Sequence, residues 1–131
     1  MSVSVTYTYG SPNEAVVTVL LEKNGTDPIQ VIPALPALAL GDWTVTWNLQ
    51  AGTGVTNPAF NEEGGIDFTE APPLLSVSSS QRQSNTQWVV SLTNACESAN
   101  LVTYGISGTT DQGSFNDDPT VAVTPDPPPG N

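Results

Sequence analysis

At 131 residues with 37% hydrophobic content, the chain is sized for one core and has the apolar material to fill it, which excludes a wholly disordered protein and makes two domains too small to stand alone. Thirteen acidic residues face only Lys23 and Arg82, a formal net charge of −11, so nucleic acid is excluded as a partner and anionic membrane surfaces are disfavoured. With 11% charged residues, one sign of charge reads most simply as a solubility device.

Period-two alternation opens the chain in Val3-Ser4-Val5-Thr6-Tyr7-Thr8-Tyr9, a half-buried strand with Val and Tyr on one face and Ser and Thr on the other. Gly10 to Asn13 supply turn chemistry, and Glu14 to Glu22, rich in β-branched residues, make the second strand. Lys23 to Pro28 close it; Asn24-Gly25 favours a turn with positive φ, and Asn24-Gly25-Thr26 is read as that turn rather than as a glycosylation acceptor. Pro33 and Pro36 keep Ile29 to Leu40 from being a central strand or an unbroken helix, so it is expected to cross between sheets along an edge.

Trp43-Thr44-Val45-Thr46-Trp47-Asn48-Leu49 is the clearest strand, its Trp face being core. Gln50 to Pro73 is rich in Gly, Asn, Pro and acids, with a short strand at Ile66-Asp67-Phe68. Leu74 to Val77 follows as a short strand, then a polar Ser/Gln loop. Strands are expected again at Gln87 to Thr93, Leu101 to Ser107 and Thr120 to Val123, before an extended Pro-rich tail. About seven or eight short strands with no amphipathic helix predict an all-β sandwich or small barrel, one domain over 1–124 with the tail at 125–131.

Histidine is absent, which removes Ser-His-Asp and Cys-His nucleophile systems and imidazole-bound zinc or copper. Cys96 is the lone cysteine, so no intramolecular disulfide can form; it lacks a neighbouring base and reads as an incidental thiol, with oxidation between two chains as its one chemical option. Paired carboxylates fall in two places, Glu62-Glu63 with Asp67, and Asp111 with Asp117 and Asp118. Glycoside cleavage needs such a pair, but no large loop system surrounds either group. A hard cation asks only for oxygen ligands at adaptable geometry, which makes Asp111, Asp117 and Asp118 the candidate ligands of a structural calcium, although the EF-hand spacing is missing.

Gly41-Asp42-Trp43-Thr44-Val45-Thr46-Trp47-Asn48 resembles the cupredoxin strand that reads Gly-Asp-x-Val-x-Trp-x-Asn. Leu101 to Ser107, the loop to Asp118 and Thr120 to Val123 resemble that family's closing aromatic strand, metal loop and Val-rich strand. The resemblance implies a Greek-key sandwich, and aligning Tyr104 with the family's tyrosine puts Gly108, Asp111 and Asn116 where copper ligands would stand. None of these makes a blue-copper site, and Cys96 lies before the strand, so no copper is expected. The Tyr strand, Gly-containing loop and Asp118-Pro119-Thr120-Val121 are also similar to small bacterial proteins of the DP-EP family.

The functional expectation is a non-enzymatic binding or assembly module, its site borne on Asn57 to Asp67 and Asp111 to Asp118 because sandwich ends present loops from a rigid scaffold. Its partner would be a protein or a glycan, and sheet edges offer a route to a homo-oligomer. Calcium binding and carbohydrate recognition are the alternatives. The opening residues have neither the basic stretch nor the apolar stretch of a secretory signal, so a native start at Met1 implies a cytoplasmic protein and a trimmed one leaves export open.

Overall fold

A computed structural model describes residues 2–10, 14–23, 30–33, 38–68 and 75–125. The expected Gly10 to Asn13 turn, the Asn24-Gly25 turn and the tail beyond Pro125 lie wholly or mostly outside these residues. The described residues form strands and turns with no helix, so the all-β class is met; no helix among them is long and apolar enough to cross a membrane.

One layer is a six-stranded sheet built from β1 (Ser2–Gly10), β2 (Glu14–Glu22), β3 (Gln30–Pro33), β4 (Gly41–Ala51), β7 (Leu75–Ser84) and β8 (Gln87–Asn94), in the order β3-β1-β2-β4-β8-β7. Pairing is parallel between β1 and β3 and between β2 and β4, antiparallel elsewhere. Strict alternation sends Ala15, Val17, Val19 and Leu21, then Trp43, Val45, Trp47 and Leu49, then Trp88, Val90, Leu92 and Asn94 to one buried face. The same alternation leaves Glu14, Val16, Thr44 and Thr46 on the outer face.

The second layer is a long hairpin with short additions. β9 (Asn100–Thr103) and β10 (Gly105–Thr110) run up, and β11 (Gly113–Asp117) and β12 (Thr120–Val123) run back. Both halves keep one register: Tyr104 N–H donates to the Pro119 carbonyl at 3.0 Å across the gap between them. Gly113 takes φ 114° just after the turn at Asp111-Gln112, a conformation open to glycine. β5 (Ala59–Phe60) and β6 (Ile66–Asp67) pair with β10. Val102, Tyr104, Ile106, Phe115, Val121 and Val123 turn inward and close the core on the large sheet's apolar face.

Two seams join the layers. At one, Leu38 bridges β12 in parallel, its N–H donating to Ala122 at 2.8 Å while Thr124 N–H donates to Leu38 at 2.9 Å. Of the segment expected to cross between sheets, Gln30–Pro33 supplies an edge strand to one sheet and Leu38 a bridge to the other; Ile29 and residues 34–37 lie outside the described set. At the other seam Phe60 N–H donates to Asn85 at 2.8 Å, and Phe60 packs edge-on against Trp88 with ring centroids 5.8 Å apart.

Two expectations need correction. The Ser/Gln segment read as a loop is the body of β7, because an edge strand held by main-chain bonds needs almost no apolar side chains, and only Leu75 there is buried. The stretch read as a loop to Asp118 holds the end of β10, a tight turn and β11, whose single inward residue, Phe115, gave too short an apolar pattern to be seen.

Candidate functional site

The two segments expected to carry a loop-borne site do come together, but as paired strands and not as free loops. Thr56 N–H donates to Asp111 Oδ1 at 2.7 Å, and Asp111 N–H returns a bond to Thr56 at 3.0 Å. Gln112 Nε2 donates to Asp111 Oδ2 at 2.8 Å, so both carboxylate oxygens accept bonds. The Thr56 N–H first, then the Gln112 side chain, hold the Asp111 carboxyl below its ordinary range. Farther along, Asn61 Nδ2 donates to Ser107 Oγ at 3.1 Å, Ser107 Oγ donates to Gly64 at 3.1 Å, and Ser107 N–H donates to Gly65 at 2.9 Å. The segment from Asn57 to Asp67 is thereby stitched along β10.

Asp117 and Asp118 sit at the far end of β11 from Asp111, a strand of five residues that spans about 17 Å at about 3.4 Å per residue. Desolvation first, then the neighbouring Asp118 charge, push the half-buried Asp117 carboxyl up. Asp118 Oδ1 and the Asp67 Cβ lie 3.9 and 3.7 Å from the position a Gly105 Cβ would take, so these two acids flank one glycine. The candidate calcium ligands Asp111, Asp117 and Asp118 are thus split between the two ends of a strand, and no group of three or more His, Cys, Asp or Glu able to hold a metal occurs among the described residues. Glu62 and Glu63 are exposed on a turn. Of the positions aligned with copper ligands, Gly108 lies within β10 opposite Phe115, Asp111 at the hairpin tip, and Asn116 opposite Ser107.

Cys96 is buried at 6% exposure, which sets it away from a partner chain's thiol. Its N–H donates to Asn94 Oδ1 at 3.1 Å. Asn94 Nδ2 lies 2.9, 3.0 and 3.1 Å from the carbonyls of Leu38, Ala39 and Thr124, so one buried amide ties β8 to the Leu38 crossing and to the end of β12. Sequence reading missed this residue because an Asn on the inward face of a strand shows its role only when its partners are known.

The outer face of the large sheet carries an open groove of about 480 Å³, lined by Glu14 from β2, Asp42 and Thr44 from β4, Ser91 and Thr93 from β8, and Ser78 from β7. Register explains the gathering: Thr44 is opposite both Glu14 and Ser91, and Asp42 is opposite Thr93. Thr93 Oγ1 donates to Asp42 Oδ1 at 2.5 Å, and Ser78 Oγ donates to the Ser91 carbonyl at 3.1 Å. Hydroxyls and carboxylates here make a hydrogen-bonding surface, with the Asp42 carboxylate engaged by Thr93. Alternation had shown that Thr44 and Thr46 face away from the Trp side; what it had not shown is the parallel β2–β4 pairing that adds Glu14.

Trp43 also lines this groove but is only 4% exposed there. Trp43, Trp47, Trp88 and Tyr104 are all buried, with Trp47 Nε1 donating to Tyr104 Oη at 3.1 Å and Phe68 stacked on Tyr104 at 4.8 Å. In comparisons with protein families, curated proteins and solved structures, no match to this chain was found.

Proposed function

We propose that the protein is a non-enzymatic binding and assembly module that works through the outer face of its six-stranded sheet and the open edge beside it. The observation that carries this reading is the groove over Thr44: four hydroxyl side chains and two carboxylates on a rigid, fully paired sheet, in a chain with no histidine. Such a surface offers many hydrogen bonds and no activated nucleophile, which suits recognition better than turnover. Sugar stacking on aromatic faces is not supported by the buried Trp43, Trp47, Trp88 and Tyr104, so a protein surface is favoured over a glycan.

The test fills the groove. Thr44→Arg with Ser91→Arg changes two solvent-facing positions, and its binding on glycan arrays and to affinity-captured partners is compared with wild type. Loss of a wild-type partner in this variant, with an unchanged melting midpoint, supports the reading; turnover of any substrate that disappears in Asp42→Asn or Glu14→Gln overturns it.

A further inference from the structure

The chain's negative charge is spread unevenly over its edges. None of its thirteen acids lies in the β7–β8 hairpin, Leu75 to Asn94, while one of its two cations, Arg82, does. β7 ends the six-stranded sheet and pairs only with β8 among the described strands. Apart from Leu75 and Arg82 its residues are exposed, including Val77 at 39%. Arg82 turns inward, its Nε donating to the Phe60 carbonyl at 3.3 Å and a terminal nitrogen to Asn85 Oδ1 at 2.9 Å. Sheet edges are usually guarded by outward charges, prolines or bulges. β7 has no Lys, Asp, Glu or Pro, and its two irregularities, between Val77 and Ser79 and between Arg82 and Ser84, leave Ser79 to Arg82 in regular register.

We propose that two copies of this chain pair edge to edge through β7, antiparallel about a two-fold axis, with Ser79 to Arg82 forming the new main-chain ladder. The proposal rests on the assembly half of the reading above. A two-fold contact places the same strand on both sides, so an edge free of acids on one copy is free of acids on the other. Each copy carries −11, and approach along β7 keeps carboxylates out of the contact. A basic strand from another protein would be recognised by acids along the edge that receives it, and β7 offers none. Salt separates the two occupants: screening over about 10 Å at 0.1 M strengthens association of like-charged copies and weakens that of a basic strand.

Sedimentation velocity of the full chain, over a concentration series at low and moderate sodium chloride, tests this. A dimer is expected whose dissociation constant falls as salt rises. Ser79→Glu with Gln81→Glu should raise that constant at least about tenfold, since like charges meet across the axis. Adding the same two charges at Ser98→Glu with Ala99→Glu, on an exposed loop, should change it less than about threefold by screened repulsion alone. Hydrogen exchange on the wild type, which needs no variant to fold, should slow at Ser79 to Arg82 as concentration rises. A dimer unaffected by the β7 charges overturns the β7 assignment and leaves assembly standing. A chain that stays monomeric throughout overturns both, and a dimer that dissociates as salt is added overturns the like-charged edge contact.

Discussion

Two hairpins, Leu75–Asn94 and Asn100–Val123, each carry a polar side chain that gathers more than one hydrogen bond, Asn94 in the first and Asp111 in the second. Asn94 meets main-chain groups of Leu38, Ala39, Cys96 and Thr124, and Asp111 meets the Thr56 N–H and the side chain of its neighbour Gln112. Their settings are opposite: Asn94 is 2% exposed, whereas Asp111 stands in solvent at a turn. Water can replace every bond that Asp111 loses. Asn94 and its partners Leu38 and Ala39 are buried, so the same kind of contact is worth far more in the first hairpin than in the second.

Removing Asn94 should therefore break the comparison most severely. In Asn94→Ala the carbonyls of Leu38, Ala39 and Thr124 each lose one bond, the first keeping the Thr124 N–H and the second Trp43 Nε1, while Cys96 N–H loses the Asn94 acceptor, a combined cost of about 3 kcal/mol at about one per lost bond and one to three for the buried Cys96 N–H, with partial relaxation. Chemical denaturation should show it as a lower midpoint with an unchanged slope. Asn94→Asp keeps the shape and the acceptor but not the donor, so it should rescue little. Next in size is Gly108→Ala in the second hairpin, where an added Cβ would lie 2.2 Å from the Ala59 carbonyl oxygen and 2.7 Å from the Phe115 ring. Backbone cannot give way cheaply, and a loss of about 2 kcal/mol is expected by the same denaturation. Trp47→Phe comes third: it removes the bond to Tyr104 Oη while keeping an aromatic ring in the core, about 1 kcal/mol, read as a drop of a few degrees in melting midpoint.

The first hairpin was only half legible. Gln87 to Thr93 announced itself by alternation against Trp88, Val90 and Leu92, but its partner strand alternates nothing, because both faces of most of β7 meet solvent. The second hairpin failed in a related way: Gly113, Ser114, Asn116 and Asp117 carry loop chemistry, and a single Phe115 sets no period. Local sequence reports a strand when one face is buried, and it falls silent where register with a neighbour supplies the order. For the same reason the acids Asp111, Asp117 and Asp118 looked like one cluster in a loop, whereas a strand between them sends them to separate places. The groove over Thr44 was legible only as an outward face, since the neighbours that complete it are distant in sequence.

The smallest effect sharpens the comparison inside the second hairpin alone, where two aspartates at either end of β11 respond to pH with opposite sign. Asp111 is held below its ordinary range by the Thr56 N–H and Gln112, so its ionised form favours the folded state; that contribution is present above about pH 4, the ordinary carboxylate range, and is lost as pH falls through the lowered folded value. Asp117 is pushed up by burial and by Asp118, so its ionised form opposes folding. In the window between its ordinary and its raised value the folded chain binds more protons than the unfolded one, and stability from this group rises as pH falls through that window. Asp117→Asn should therefore raise the melting midpoint slightly at pH 7 and lose that advantage near pH 4. Asp111→Asn should lower it slightly at pH 7 and match wild type at strongly acid pH, once wild-type Asp111 is protonated too. Melting curves of both variants across pH 3 to 7 check the pair: parallel responses would mean that the bonds to Thr56 and the burial of Asp117 do not persist in solution, whereas crossing ones place the strand between the two carboxylates.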